Sequence, residues 1–131
     1  MTPELYWLTF TLLMATLLWV PPILNRIVVR GIPDAMGYPE VEKPHSPWAE
    51  RALKAHRNSV ENIAIFAALI LVAHIANISN DVTTISAMLF FLFRLAYYFA
   101  YLVGIPYLRT VLFAGGWAAT IAIALTILGW I

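Results

Sequence analysis

The chain has 131 residues, of which 62% are apolar or aromatic and only 11% are charged, and its mean hydropathy is +0.80. A water-soluble domain runs at about 45–50% apolar and about 25% charged, so a soluble globular fold is excluded. A net charge of +1 without a basic tail argues against nucleic acid as a partner, and with no cysteine any sulfur chemistry has to come from a ligand.

A membrane-crossing helix takes about 20 mostly apolar residues. The sequence supplies four such segments, which predicts an all-α, integral membrane four-helix bundle forming a single domain over residues 1–131. The first span runs from about Glu4 to Arg30. Its apolar start, Leu5 to Val20, has neither a basic leader nor a small-residue cleavage site, and it is read as a retained helix rather than a signal peptide. Pro21 and Pro22 fall late in this span, where a proline pair is expected to kink the helix and free backbone carbonyls. Asn25, Arg26 and Arg30 stand at its end.

The stretch from Gly31 to Pro47, GIPDAMGYPEVEKPHSP, concentrates glycine, proline and charge and reads as an aqueous loop. The second span opens at Ser46-Pro47, an N-cap followed by proline at the first helical position, and runs to about Asn77. After the connector ISNDVTT, with Asp81 as the expected cap, the third span covers about Val82 to Val103. Gly104-Ile105-Pro106 breaks it. The fourth span runs from about Tyr107 to Ile131, with Gly115-Gly116 as a point of close helix packing.

Lysine and arginine set the expected orientation, because cytoplasmic ends carry an excess of both. Arg26, Arg30, Lys43, Arg51, Lys54 and Arg57 gather about the first loop, and Arg94 and Arg109 flank the third. Loops one and three are therefore expected in the cytoplasm and both termini on the opposite side. Tyr6, Trp7, Trp48, Tyr107 and Trp130 suit an interfacial aromatic belt.

The wholly apolar part of the second span, Ile63 to Ala76, is too short to cross the hydrocarbon, so the charged turns before it belong to the membrane helix. Arg51, Lys54, Asn58 and Glu61 recur at helical spacing and form one stripe, which must face protein or water. Ordinary i, i+4 ion pairs, Glu50 with Lys54 and Arg57 with Glu61, are a simpler account of the same residues. Within the third span, Arg94 needs a partner, since an unpaired arginine there costs at least about 2.5–3.5 kcal/mol. Tyr97 and Tyr101 share its face and Tyr98 points elsewhere. Arg94 is expected either to pair with Glu61 as an interhelical staple or to join a ligand site, two roles that are compatible. Arg109 brings a further cation to the same membrane side, as a site residue or as an interfacial one. His45, His56 and His74 have no metal-site spacing, so no metal is expected. The cations, one carboxylate, the amide and the phenols suit a ligand with carboxylates and an amine, such as a zwitterionic peptide.

The run Glu50-Arg51-Ala52-Leu53-Lys54-Ala55-His56-Arg57-Asn58-Ser59-Val60-Glu61-Asn62 resembles the E-R-x-x-R-A-H-x-N-x-x-E-N signature of the MAPEG family, the membrane-associated proteins in eicosanoid and glutathione metabolism. Arg94-Leu95-Ala96-Tyr97-Tyr98-Phe99-Ala100-Tyr101, followed by Arg109, is similar to the family's R-x-x-[YH]-x-x-x-Y pattern and its downstream arginine. Lys54 departs from the usual arginine and lacks its planar fork. The spacing from Arg94 to Arg109 varies among members.

The resemblance implies a homotrimer with glutathione bound between subunits near the cytoplasmic surface. It implies glutathione contacts from Lys54, Arg57, Asn58, Glu61, Arg94, Tyr97 and Tyr101, with Thr110 and Phe113 lining the pocket and Arg26 or Arg30 reaching in from the adjacent subunit. Arg109 matches the arginine thought to stabilise the glutathione thiolate in catalytic members. The implied activity is a glutathione-dependent transferase or peroxidase acting on lipophilic electrophiles or lipid hydroperoxides from the bilayer. The alternatives are a non-catalytic lipid- or ligand-binding protein of the same fold, and a small transporter. Against the transporter stand the missing internal repeat and the lack of a helix broken at the midplane.

Overall fold

A computed structural model describes every residue except Glu40 and Glu42, so the part of the first loop that contains them lies outside the described residues. Among the described residues the chain is helical without strands: α1 (Pro3–Leu17), α2 (Val20–Arg30), α3 (Ile32–Met36), α4 (Pro47–Ile75), α5 (Asp81–Val103) and α6 (Pro106–Ile127). α1 and α2 together form one span of 28 residues, and α4, α5 and α6 form spans of 29, 23 and 22 residues. All four are long and apolar enough to cross a membrane. Large apolar side chains such as Leu13, Leu24, Ile65, Leu92 and Trp117 stand exposed along them. Such a surface suits hydrocarbon, and the chain is an integral, multi-pass membrane protein.

The kink in the first span falls at Leu18–Trp19, one turn before the proline pair that causes it. A proline has no N–H for the carbonyl four residues back, so Pro22 leaves the Leu18 carbonyl open. Tyr98 Oη on α5 donates to it at 3.1 Å. Ala15, at the same break, has its carbonyl accept from His56 Nε2 on α4 at 2.7 Å. In hydrocarbon an open carbonyl costs several kcal/mol, so the break is where the neighbouring helices fasten to the first span.

The first loop is not wholly irregular, because α3 occupies its start. Gly31, at φ +79°, reverses the chain after α2. Pro33 in the first turn of α3 lacks only an N–H that would be unpaired there, and Asp34 favours the helix N-terminus. The cap of α5 is Asn80 rather than Asp81. Asn80 has the extended backbone of a cap, and its side chain accepts from the Thr83 N–H at 3.0 Å, while Asp81 is already the first helical residue.

Thr83 belongs to a cluster that the sequence did not signal. Glu4, only 2% exposed, accepts from the hydroxyls of Thr83, Thr84 and Ser79. It ties the start of α1 to the α4–α5 turn. The half of the core nearer the start of α1 is apolar, with Phe66 of α4 stacked on Phe90 of α5 at 3.9 Å between centroids. The half nearer the α5–α6 turn packs Ala52 and Ala55 against Tyr97 and Tyr98, small residues letting α4 and α5 approach closely. Gly115 is the expected contact point between α5 and α6, since a Cβ there would lie 2.8 Å from the Phe93 ring.

Tyr98→Phe removes the donor from the Leu18 carbonyl and nothing else. Interhelical hydrogen bonds in membranes average about 0.6 kcal/mol and reach about 1.7 kcal/mol. The variant should lose stability on that scale in detergent unfolding, and an unchanged midpoint would mean another donor satisfies the carbonyl.

Candidate functional site

The charged turns of α4 follow directly from how its start is held. Pro47 occupies the first helical position as expected, but Ser46 makes no side-chain cap bond. Its hydroxyl instead accepts from Asn25 Nδ2 at 2.9 Å, and its N–H donates to Asn25 Oδ1 at 3.1 Å. The buried Asn25 thus clamps the end of the first span to the beginning of α4, which fixes the direction of the helix that contributes more of the site's wall than any other.

Between α4, α5 and α6 lies a cavity of about 400 Å³. α4 contributes Lys54, Arg57, Asn58 and Glu61 to its wall, α5 contributes Tyr97 and Tyr101, and α6 contributes Arg109, Thr110 and Phe113. The tertiary structure therefore brings nine of the twelve candidate residues into one pocket. Tyr97 and Tyr101 meet edge to face at 5.8 Å. The Arg109 guanidinium sits over the Tyr101 ring, 4.5 Å from its centroid, a cation–π contact that leaves its N–H donors free of that ring.

Arg94 has a different place from the one expected. It is 1% exposed and does not line the cavity. Its partner is not Glu61, which stands exposed on the cavity wall. Arg94 Nη2 donates to Asn58 Oδ1 at 2.8 Å and to Ser59 Oγ at 2.7 Å, and its guanidinium carbon lies 4.2 Å from the centre of the Tyr97 ring. Ser59 and Asn58 come within reach of the guanidinium one turn before Glu61, which is why the neutral pair takes the role expected of the carboxylate. Arg94 Nε is buried without a partner among the described residues.

This arrangement decides which way Asn58 faces. Its Oδ1 accepts from Arg94, which can only donate, and also from Asn62 Nδ2 at 3.3 Å. The Asn58 amide is left to offer its NH₂ to the cavity. With Lys54, Arg57 and Arg109, the wall holds three cations, and Glu61 is its one carboxylate among the described residues. The matching ligand has more acceptors than donors and net negative charge.

Arg26 and Arg30 lie away from this cavity in the same chain. Arg26 faces a small recess with Trp19, Pro22 and Leu53, and Arg30 Nε donates to the Lys43 carbonyl at 3.0 Å. Arg51, the first member of the predicted stripe, is also elsewhere: its Nε donates to the Leu102 carbonyl at 2.9 Å. Ser59, Asn25 and Glu4 were given no role by the sequence. A small polar residue in a helix usually bonds its own preceding turn and carries no signal of a distant partner.

Fold and site together define a four-helix membrane protein with a basic, phenol-lined pocket at one end of the bundle. Residues 6–129 match the MAPEG family. The chain belongs to that family, and with it to the membrane proteins of glutathione and eicosanoid metabolism. No curated protein matches the chain.

Arg94→Ala leaves Asn58 and Ser59 without their charged donor, and hydrogen bonds to charged groups contribute about 1.5–3 kcal/mol. A stability loss of that size is expected in detergent unfolding, whereas Glu61→Gln should stay within about 0.5 kcal/mol, as surface changes do. Equal losses for the two variants would restore the Arg94–Glu61 pair as the structural contact.

Proposed function

We propose that this protein is a glutathione-dependent membrane transferase or peroxidase acting on lipophilic electrophiles or lipid hydroperoxides that arrive from the bilayer. The observation that carries this reading is the charge pattern of the cavity. Among the described residues, three cations, a donor amide and one carboxylate complement a tripeptide with two carboxylates and one ammonium group. Lys54, Arg57 and Asn58 would hold carboxylates and peptide carbonyls, Glu61 the ammonium, and Tyr97 and Tyr101 the remaining acceptors. Thr110 and Phe113 would complete the wall beside Arg109. A volume of about 400 Å³ is within the range of small-molecule sites, about 300–1,000 Å³.

In this reading Arg109 is the catalytic residue. A thiol of unperturbed pKa about 8.5 is mostly protonated at neutral pH, and a guanidinium beside the sulfur favours the thiolate. The thiolate would attack an electrophilic carbon to form a C–S bond, with the leaving group or added proton completing the transfer. With a hydroperoxide it would attack the O–O bond, releasing the alcohol and a sulfenic acid that a second glutathione converts to disulfide and water.

The active form would be a homotrimer, with Arg26 or Arg30 of an adjacent subunit reaching the pocket and the basic loops one and three in the cytoplasm. Support comes from Arg57 and Glu61, which are exposed in the single chain although charge at membrane depth needs protein or water around it. Mass measurement in mild detergent should return three chains per particle. A stable monomer that binds glutathione fully would refute the shared site.

Arg109→Ala tests the chemistry. Glutathione affinity in calorimetric titration should stay near that of the parent, because other cations hold the carboxylates. Turnover should drop by roughly a hundredfold or more, the scale for one electrostatic stabiliser in a water-poor site. The ultraviolet thiolate absorbance of bound glutathione at neutral pH should drop with it. Unchanged thiol ionisation would remove Arg109 from the catalytic role.

A further inference from the structure

The α5–α6 turn holds a second cavity of about 180 Å³, lined by Arg51, Tyr101, Gly104, Ile105, Pro106 and Arg109. Two guanidiniums face it, and no carboxylate lies on its wall among the described residues. Arg51 lines this cavity and not the larger one.

Among the described residues, Arg51 is held by one bond. Its Nε donates to the Leu102 carbonyl at 2.9 Å, an acceptor without a helical partner because the residue four positions on is Pro106. That anchor leaves the two terminal nitrogens for another acceptor. Arg109 is fixed by the face of Tyr101, a contact that consumes none of its N–H donors. Gly104, in the left-handed region at φ +81°, closes α5, and a Cβ there would stand 3.5 Å from Arg51 Nε. The turn thus holds two like charges with open donors around one small space, which is favourable when an anion sits between them.

The surroundings identify the class of anion. Val103, Ile105, Tyr107 and Leu108 are exposed on the same turn, so the cationic cavity has an apolar skirt. A water-soluble anion gains nothing from that skirt, but an amphiphile does. We propose that this cavity binds the phosphate of an anionic lipid headgroup between Arg51 and Arg109, with the acyl chains laid along the exposed residues of the turn. Basic pockets between membrane helices hold phospholipid headgroups in this manner. Because Arg109 and Tyr101 line both cavities, lipid occupancy competes for the guanidinium that the larger pocket uses. The lipid site itself does not depend on the glutathione reading.

The test uses the full chain, delipidated in mild detergent and titrated with phosphatidylglycerol, phosphatidylcholine or inorganic phosphate under native mass spectrometry. Arg51→Ala and Arg51→Gln are compared with the parent, the second retaining a donor for the Leu102 carbonyl, and lipid-free unfolding midpoints confirm that the variants fold. The parent should bind phosphatidylglycerol at least about tenfold more tightly than phosphatidylcholine. Both variants should weaken that binding about fivefold or more, the scale of one basic residue at an anionic surface, with glutathione affinity unchanged. Equal binding of the two lipids, or a preference that survives in both variants, would overturn the proposal. Inorganic phosphate binding as tightly as the lipid would overturn the lipid assignment in favour of a soluble anion. If the Arg51 variants lose glutathione as strongly as lipid, the cavity is an arm of the larger pocket and no lipid site exists.

Discussion

A guanidinium buried among membrane helices has to be satisfied by fixed acceptors, and in this protein the architecture of the site follows from how Arg94 meets that requirement. Its two short bonds to Asn58 and Ser59 set the rotation of α4 against α5. That rotation turns Lys54, Arg57 and Glu61 outward to the cavity while the alanines of the same helix face the core. The bonds also orient the Asn58 amide. A charge enclosed in protein thereby fixes the polarity of a neighbouring surface that it does not itself reach.

The second organising constraint is that a bilayer supplies no water to an open carbonyl. Prolines at 22 and 106 remove the N–H groups that would bond Leu18 and Leu102, and a phenol and a guanidinium replace them. His56 answers the Ala15 carbonyl at the same kink. Each replacement joins two helices, so irregular backbone becomes interhelical connection. The replacement at Leu102 also places Arg51 at the α5–α6 turn, away from the stripe to which its spacing assigned it.

The bundle divides its polar residues between its ends. At one end Glu4 is enclosed by three hydroxyls and acts as a fastener. At the other, donors outnumber acceptors and line open space. Phe66 and Phe90 stack between the two regions, within an apolar core that keeps them apart. Membership of the MAPEG family agrees with a chain of four membrane-spanning helices.

The amino-acid sequence determined the four spans, their approximate limits and the helical faces that reach the pocket, because apolar length and helical spacing are local properties that survive translation into three dimensions. Arg57, Thr110 and Phe113 enter as pocket residues only through the family resemblance, which also implies Arg94, Arg26 and Arg30, and none of those last three lines the cavity. Lys54, Asn58 and Glu61 share a face in any α-helix, and Tyr97 and Tyr101 do likewise. Tertiary structure alone decided the partners. Arg94 chose Asn58 and Ser59 over Glu61, Arg51 chose a carbonyl in another helix, and Ser46 accepted from Asn25 instead of capping its own helix. The kink sat a turn before its prolines, and Asn80 rather than Asp81 began α5. Spacing gives the face of a helix but not which side chain on a neighbouring helix lies at hydrogen-bonding distance, since that depends on the rotation and depth at which two helices pack.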